Sequence, residues 1–135
     1  MLILHVEDDP DIQEIARLAL TVVGGHDLVQ FSTGDAALNA AGDLAPDLVL
    51  LDMMMPEMTG AELMALLRHL PHYAKVPMVF MTARAQPHEV AQMRKLGAAG
   101  VVVKPFDPMT LADQLVAIRD DAAMPATESR NGNLP

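Results

Sequence analysis

Residues 47–60 read D-L-V-L-L-D-M-M-M-P-E-M-T-G. Leu48 to Leu51 is a strand-length run, apolar on both alternations, which suits a strand covered on two faces. Asp52 stands at its end, where Pro56 and Gly60 shape a loop. Thr59 with Glu62 then matches a capping box before Leu63, Leu66, Leu67 and Leu70, which share one helical face. A buried strand that ends on an acid and turns into a helix is half of a strand-helix-strand unit.

The same unit recurs in both directions. Leu2 to Val6, Met78 to Met81 and Val101 to Val103 are further apolar runs, and Leu28 to Phe31 is a half-polar run that reads as an edge strand. Between them, Pro10 opens a helix with Ile12, Ile15, Ala16, Ala19, Val22 and Val23 at one-face spacing, stopped by Gly24 and Gly25. Thr33 caps a second helix over residues 34–41. Pro87 opens a fourth that carries Val90 and Met93 and ends at Gly97, and Asp107 with Pro108 opens a fifth with Leu111, Leu115 and Ile118 inward. Five strands alternating with five helices imply an open parallel sheet with helices on both faces. Residues 1–121 read as the folded domain, and Ala122 to Pro135 as a disordered tail or the start of a linker.

Composition narrows the chemistry. With 135 residues, 51% apolar and 20% charged, the chain has the balance of one globular domain. No cysteine is present, so thiolate chemistry and disulfides are excluded. Nine basic against 18 acidic residues give a net charge of -9, which argues against direct nucleic-acid binding. The apolar start has no basic flank, and no segment has the length of a membrane span, so a cytoplasmic protein is expected.

In an open parallel sheet, ligands bind beyond the carboxyl ends of the strands where the strand order reverses. Glu7 and Asp8 follow strand one, Asp52 strand three, Thr82 strand four and Lys104 strand five. Converging carboxylates repel unless a cation compensates them, and hard oxygen donors suit Mg²⁺. With that charge screened by the metal and Lys104, Asp52 can serve as a carboxylate nucleophile toward a phosphoryl group, and the Thr82 hydroxyl can donate to a phosphoryl oxygen.

Over about residues 1–121 the chain closely resembles the receiver domain of two-component response regulators. The resemblance rests on V-E-D-D-P at 6–10, the stretch at 47–60, M-T-A at 81–83 and V-K-P-F at 103–106, in order and at strand ends. It implies a flavodoxin-like (CheY-like) three-layer α/β sandwich, with a parallel sheet of order 2-1-3-4-5. It implies Asp52 as phosphoacceptor, with Mg²⁺ (or Mn²⁺) held by Asp8, by Glu7 through water or weak coordination, by Asp52 and by the Met54 carbonyl. Thr82 matches the residue that moves toward the phosphoryl group, Ala83 the small neighbour that leaves room for it, and Lys104 the ion-pair partner. The Lys104–Pro105 bond matches one that is usually cis in this family. Met54 and Arg84, two positions past Asp52 and Thr82, stand where a hydrolytic water must approach. The family role is signalling rather than turnover, with a histidine kinase or phosphotransfer protein upstream and a protein effector downstream, and no partner in nucleic acid or membrane.

Three alternatives fail on particular residues. A haloacid-dehalogenase-type phosphatase needs a general acid two positions after its nucleophile, where this chain has Met54. A pseudo-receiver lacks an acid, the Thr or the Lys, and none is missing. A flavodoxin needs a hydroxyl- and glycine-rich phosphate loop after strand one, where Glu7, Asp8 and Asp9 stand. Asp9, before Pro10, reads as a helix cap. The methionines at 53, 54, 55 and 58 read as adaptable packing, and the five histidines as core or solvent side chains. Two positions depart from the family pattern. Val101 replaces an aromatic that turns inward on activation, and Ala99 and Gly100 replace acids that join a dimer in the transcription-factor branch. Either this is a single-domain regulator or an effector domain lies beyond a linker.

Overall fold

A computed structural model describes residues 1–123. Five strands, β1 (Leu2–Val6), β2 (Asp27–Phe31), β3 (Leu48–Asp52), β4 (Met78–Thr82) and β5 (Gly100–Val103), form one parallel sheet in the order 2-1-3-4-5. Five helices, α1 (Pro10–Arg17), α2 (Gly34–Ala41), α3 (Gly60–Leu67), α4 (Pro87–Lys95) and α5 (Leu111–Ala123), cover its two faces. This is the flavodoxin-like sandwich expected from the alternating pattern. All five residues of β3 and of β4 are buried, as central strands require, whereas β2 is half-exposed at an edge.

Strand alternation divides the core in two. Leu4, Val6, Val49, Leu51, Phe80 and partly buried Val101 pack with residues of α2, α3 and α4. Ile3, Leu48, Leu50, Met81 and Val102 pack on the other face with Leu20 and with Leu111 and Leu115 of α5. Burying these two apolar layers contributes on the order of 1.5 to 3 kcal/mol for each fully covered Leu, Ile, Val, Phe or Met.

The capping signals act as their chemistry predicts. Asp9 accepts from the backbone N–H groups of Asp11 and Ile12, Thr33 from Ala36, and Thr59 and Glu62 close a reciprocal box at α3. At the fifth helix the Asp107 carboxylate instead accepts from Met109 N–H at 2.8 Å, and a turn intervenes before α5 starts at Leu111. That helix runs through Ala122 and Ala123. The rest of the segment read as a tail, residues 124–135, lies outside the described residues.

Two inward faces differ from the periodic reading. α1 continues as a π-helical segment, Leu18–Val23, whose wider turn rotates the side chains that follow. Leu20 is fully buried with Ala16 and Ala19 while Val22 is 71% exposed. Gly25, at φ 72°, ends the turn in a conformation that favours glycine. On α3, Met64 is buried and Leu66 exposed.

Candidate functional site

The carboxyl ends of β1, β3, β4 and β5 meet at one rim. Glu7 and Asp8 follow β1, Asp52 ends β3, Thr82 ends β4 and Lys104 follows β5. Glu7, Asp52 and Thr82 are buried and Asp8 is exposed. Carboxylate oxygens of Glu7, Asp8 and Asp52 all lie within 4.8 Å of one another.

Lys104 joins two of them. Its Nζ is 3.1 Å from Asp52 Oδ1 and 3.1 Å from Glu7 Oε1. Asp52 Oδ1 also accepts from Met54 N–H at 3.2 Å, so the loop after β3 is tied to the carboxylate it follows. The Lys104–Pro105 peptide is cis. Gly60 makes the close approach at the base of this loop. A Cβ there would stand 2.6 Å from the Asp52 carbonyl oxygen.

Thr82 arrives from the other side. By alternation Glu7, Asp52 and Lys104 share the face of Ile3, Leu50 and Val102, while Thr82 shares the face of Phe80 and Val101. Its Oγ1 accepts from Arg84 N–H at 3.0 Å. Arg84 projects into solvent with its side chain 82% exposed, and its Nε pairs at 3.0 Å with Glu89 on α4. Met54 is exposed at the rim, and Ala83 lies between Thr82 and Arg84. Val101 stands apart from the acids, paired with Phe80 inside the sheet.

The electrostatics show what this cluster lacks. Burial pushes the Glu7 carboxyl up to about 7, and hydrogen bonding with Asp52 adds to the shift. Burial pulls Lys104 down, but its bonds and charges from Glu7 and Asp52 more than reverse this, so its pKa is raised. One ammonium does not neutralise three acids. Glu7 Oε1, although near Lys104 Nζ, has no aligned hydrogen bond. An all-oxygen donor set with an orphaned buried oxygen and a carboxyl pushed toward protonation fits a hard divalent cation.

Sequence reasoning passed over Gln13 and Gln30 beneath this rim, and read their neighbour His5 only as a core or solvent side chain. Gln13 donates to the Glu7 carbonyl at 2.6 Å and to Ser32 Oγ at 3.2 Å. Gln30 donates to the Gln13 carbonyl at 2.8 Å and contacts His5 Nδ1 at 3.1 Å. His5 is fully buried, and burial lowers its pKa to about 4. A histidine inside an apolar strand, with a glutamine in the neighbouring edge strand, is the signal that was present.

The family described as response regulator receiver domain matches residues 3–116. The chain belongs to that family. Receivers of several regulators are similar to it. The DNA-binding response regulator MtrA of Mycolicibacterium smegmatis is 37% identical over 115 residues, which are 85% of this chain and 49% of that protein. The transcriptional regulatory protein PhoP of Bacillus subtilis is 31% identical, over 98% of this chain and 55% of its own. The solved chemotaxis protein CheY4 of Vibrio cholerae superposes with a TM-score of 0.81 at 29% identity, over 87% of this chain and 97% of that one. The receiver thus spans about half the length of the curated relatives it matches. No helix among the described residues is long and apolar enough to cross a membrane.

Proposed function

We propose that this receiver takes a phosphoryl group onto Asp52 from a phosphohistidine of a histidine kinase or phosphotransfer protein. The observation that supports this most is the position of the Asp52 carboxylate at a strand end, within 3.1 Å of Lys104 and beside Glu7 and Asp8. An oxygen of Asp52 attacks phosphorus in line, the bond from phosphorus to the donor's imidazole nitrogen breaks, and that nitrogen keeps the electron pair.

Lys104 offsets charge on the acceptor and on the arriving oxygens. Thr82 supplies a hydroxyl donor, and Ala83 leaves room for the group. Asp8, Glu7, Asp52 and the Met54 carbonyl would hold Mg²⁺ (or Mn²⁺), which when bound would supply charge neutralisation at the phosphoryl oxygens. Pro105 shapes the strand-five loop that presents Lys104. The phosphorylated form then alters a surface read by a protein effector. At a net charge of -9 this domain does not itself hold nucleic acid, and the reading places it in the cytoplasm.

Incubation with acetyl phosphate and Mg²⁺ is the direct test. Intact-mass spectrometry is expected to show one phosphoryl adduct that disappears in Asp52→Asn and weakens in Asp8→Ala. Labelling of Asp52→Asn at the wild-type rate would overturn the reading.

A further inference from the structure

Among the described residues, two buried side-chain polar atoms have no hydrogen-bond partner, His5 Nε2 and Glu7 Oε1. Both belong to the end of β1, two residues apart, and residues so spaced share one face of a strand. A buried polar atom without a partner costs free energy, so each requires a reason.

The protonation of His5 follows from its neighbours. Gln30 Nε2 donates to the Gln13 carbonyl at 2.8 Å, and because a carbonyl only accepts, this fixes which end of the Gln30 amide faces inward. The same nitrogen lies 3.1 Å from His5 Nδ1. An amide nitrogen only donates, so Nδ1 is the acceptor and the neutral ring carries its proton on Nε2. The two orphans are therefore complementary, a donor on His5 and an acceptor on Glu7.

The ring also turns toward the acidic site. The two nitrogens of an imidazole point away from each other, so a ring whose Nδ1 is turned to Gln30 on β2 turns Nε2 away from β2. That is the side on which β3 pairs with β1 and brings Asp52. The charges of Asp52 and Lys104 both act on His5. Glu7 is already clamped through its main chain, its N–H to the Phe31 carbonyl at 3.0 Å and its own carbonyl from Gln13 at 2.6 Å. The carboxylate is held at one oxygen, where Oε2 accepts from Asp9 N–H at 3.2 Å, which leaves Oε1, near Lys104 Nζ but without an aligned hydrogen bond, to be oriented.

We propose that His5 is a positioning residue for the acidic site: its Nε2–H donates through one bridging water to the Glu7 carboxylate and holds it for the cation. This rests on the phosphoacceptor reading of the site. Carboxylates that serve a metal are commonly held by such outer hydrogen bonds, and their loss lowers metal affinity by about 10- to 100-fold.

The test compares His5→Leu and His5→Gln with wild type. Leu fills the space without a donor, whereas the Gln amide places an N–H near the position of Nε2. Calorimetric titration with Mg²⁺ is expected to show binding at least about tenfold weaker in His5→Leu and near wild type in His5→Gln. Without metal, His5→Leu is expected to melt no lower than wild type, because it removes an unsatisfied buried donor. Ring ¹⁵N spectra of wild type are expected to show the proton on Nε2, with that signal moving on Mg²⁺ addition. Equal Mg²⁺ affinity in folded His5→Leu, or a ring proton on Nδ1, overturns the role of His5 and leaves the phosphoacceptor reading standing. Wild type that takes no Mg²⁺ overturns both.

Discussion

Lys104 Nζ stands 3.1 Å from Asp52 Oδ1 although 52 residues separate them in sequence. Among the described residues it is the only cation at ion-pair distance from Asp52 or Glu7. Lys104→Met therefore leaves two buried acids without a counter-charge in metal-free protein. We expect a loss of roughly 1 to 3 kcal/mol at mildly alkaline pH, largely restored by Mg²⁺. Urea unfolding with and without the metal measures both. A metal-free variant as stable as wild type would contradict the pairing.

Gly60 tests the loop that follows Asp52. A Cβ at this position meets the Asp52 carbonyl oxygen at 2.6 Å and Met53 Cα at 3.1 Å, both main-chain atoms that cannot rotate aside. Gly60→Ala should cost about 1 to 3 kcal/mol as an overpacking change and slow labelling by acetyl phosphate. Denaturant unfolding and labelling rates decide. Unchanged values in both would show that the loop yields freely.

Phosphoryl lifetime should depend on the two side chains that screen the rim. Met54 is 70% exposed, and Arg84 pairs with Glu89 on α4 at 3.0 Å. On the phosphoacceptor reading, a water must come in line with the bond to be broken, and side chains at these two positions would obstruct it. Met54→Asn and Arg84→Ala are expected to change the decay of the labelled protein severalfold while preserving labelling. Decay identical to wild type in both variants would end this assignment.

The switch has a structural route on the Thr82 side of the sheet. Thr82 Oγ1 holds Arg84 N–H at 3.0 Å, and Arg84 is tied to Glu89 in the first turn of α4. A hydroxyl drawn toward phosphoryl oxygens releases that N–H and disturbs the helix start. Val101, short and stiff at its first torsion, cannot follow over a long arc. Hydrogen exchange with beryllofluoride, which stands in for the phosphoryl group on Asp52, is expected to change mainly over residues 83–97. Changes centred on β5 with α4 silent would redirect the route through Val101.

Acid stability separates His5 from Glu7 in metal-free protein. His5 falls from 6.5 unfolded to about 4 folded, so its contribution is present above 6.5 and is lost as pH drops through that window. Glu7 rises from 4.5 to about 7, so its contribution is present at low pH and is lost as pH rises through that window. The two slopes oppose each other. Relative to His5→Leu, wild type should lose stability as pH falls from 6.5 toward 4. Urea unfolding across this range reads the difference directly, and parallel curves would place the titration elsewhere.

The sequence by itself determined the architecture and the rim. Apolar runs that end on Glu7, Asp52, Thr82 and Lys104 name both the strands and the polar ends that meet at one rim, because strand length, capping and alternation are local rules. The Asp9, Thr33 and Thr59 caps were legible for the same reason. Which face of a helix turns inward was decided only by tertiary structure. Packing turns Leu20 into the core and leaves Val22 out of it where α1 runs on as a π-helical segment, and on α3 it chooses Met64 over Leu66. The polar layer under the site was equally hidden. Gln13, Gln30 and His5 meet through bonds that span 17 and 25 residues of chain, and no local period records a contact that exists only once two strands and a helix have docked.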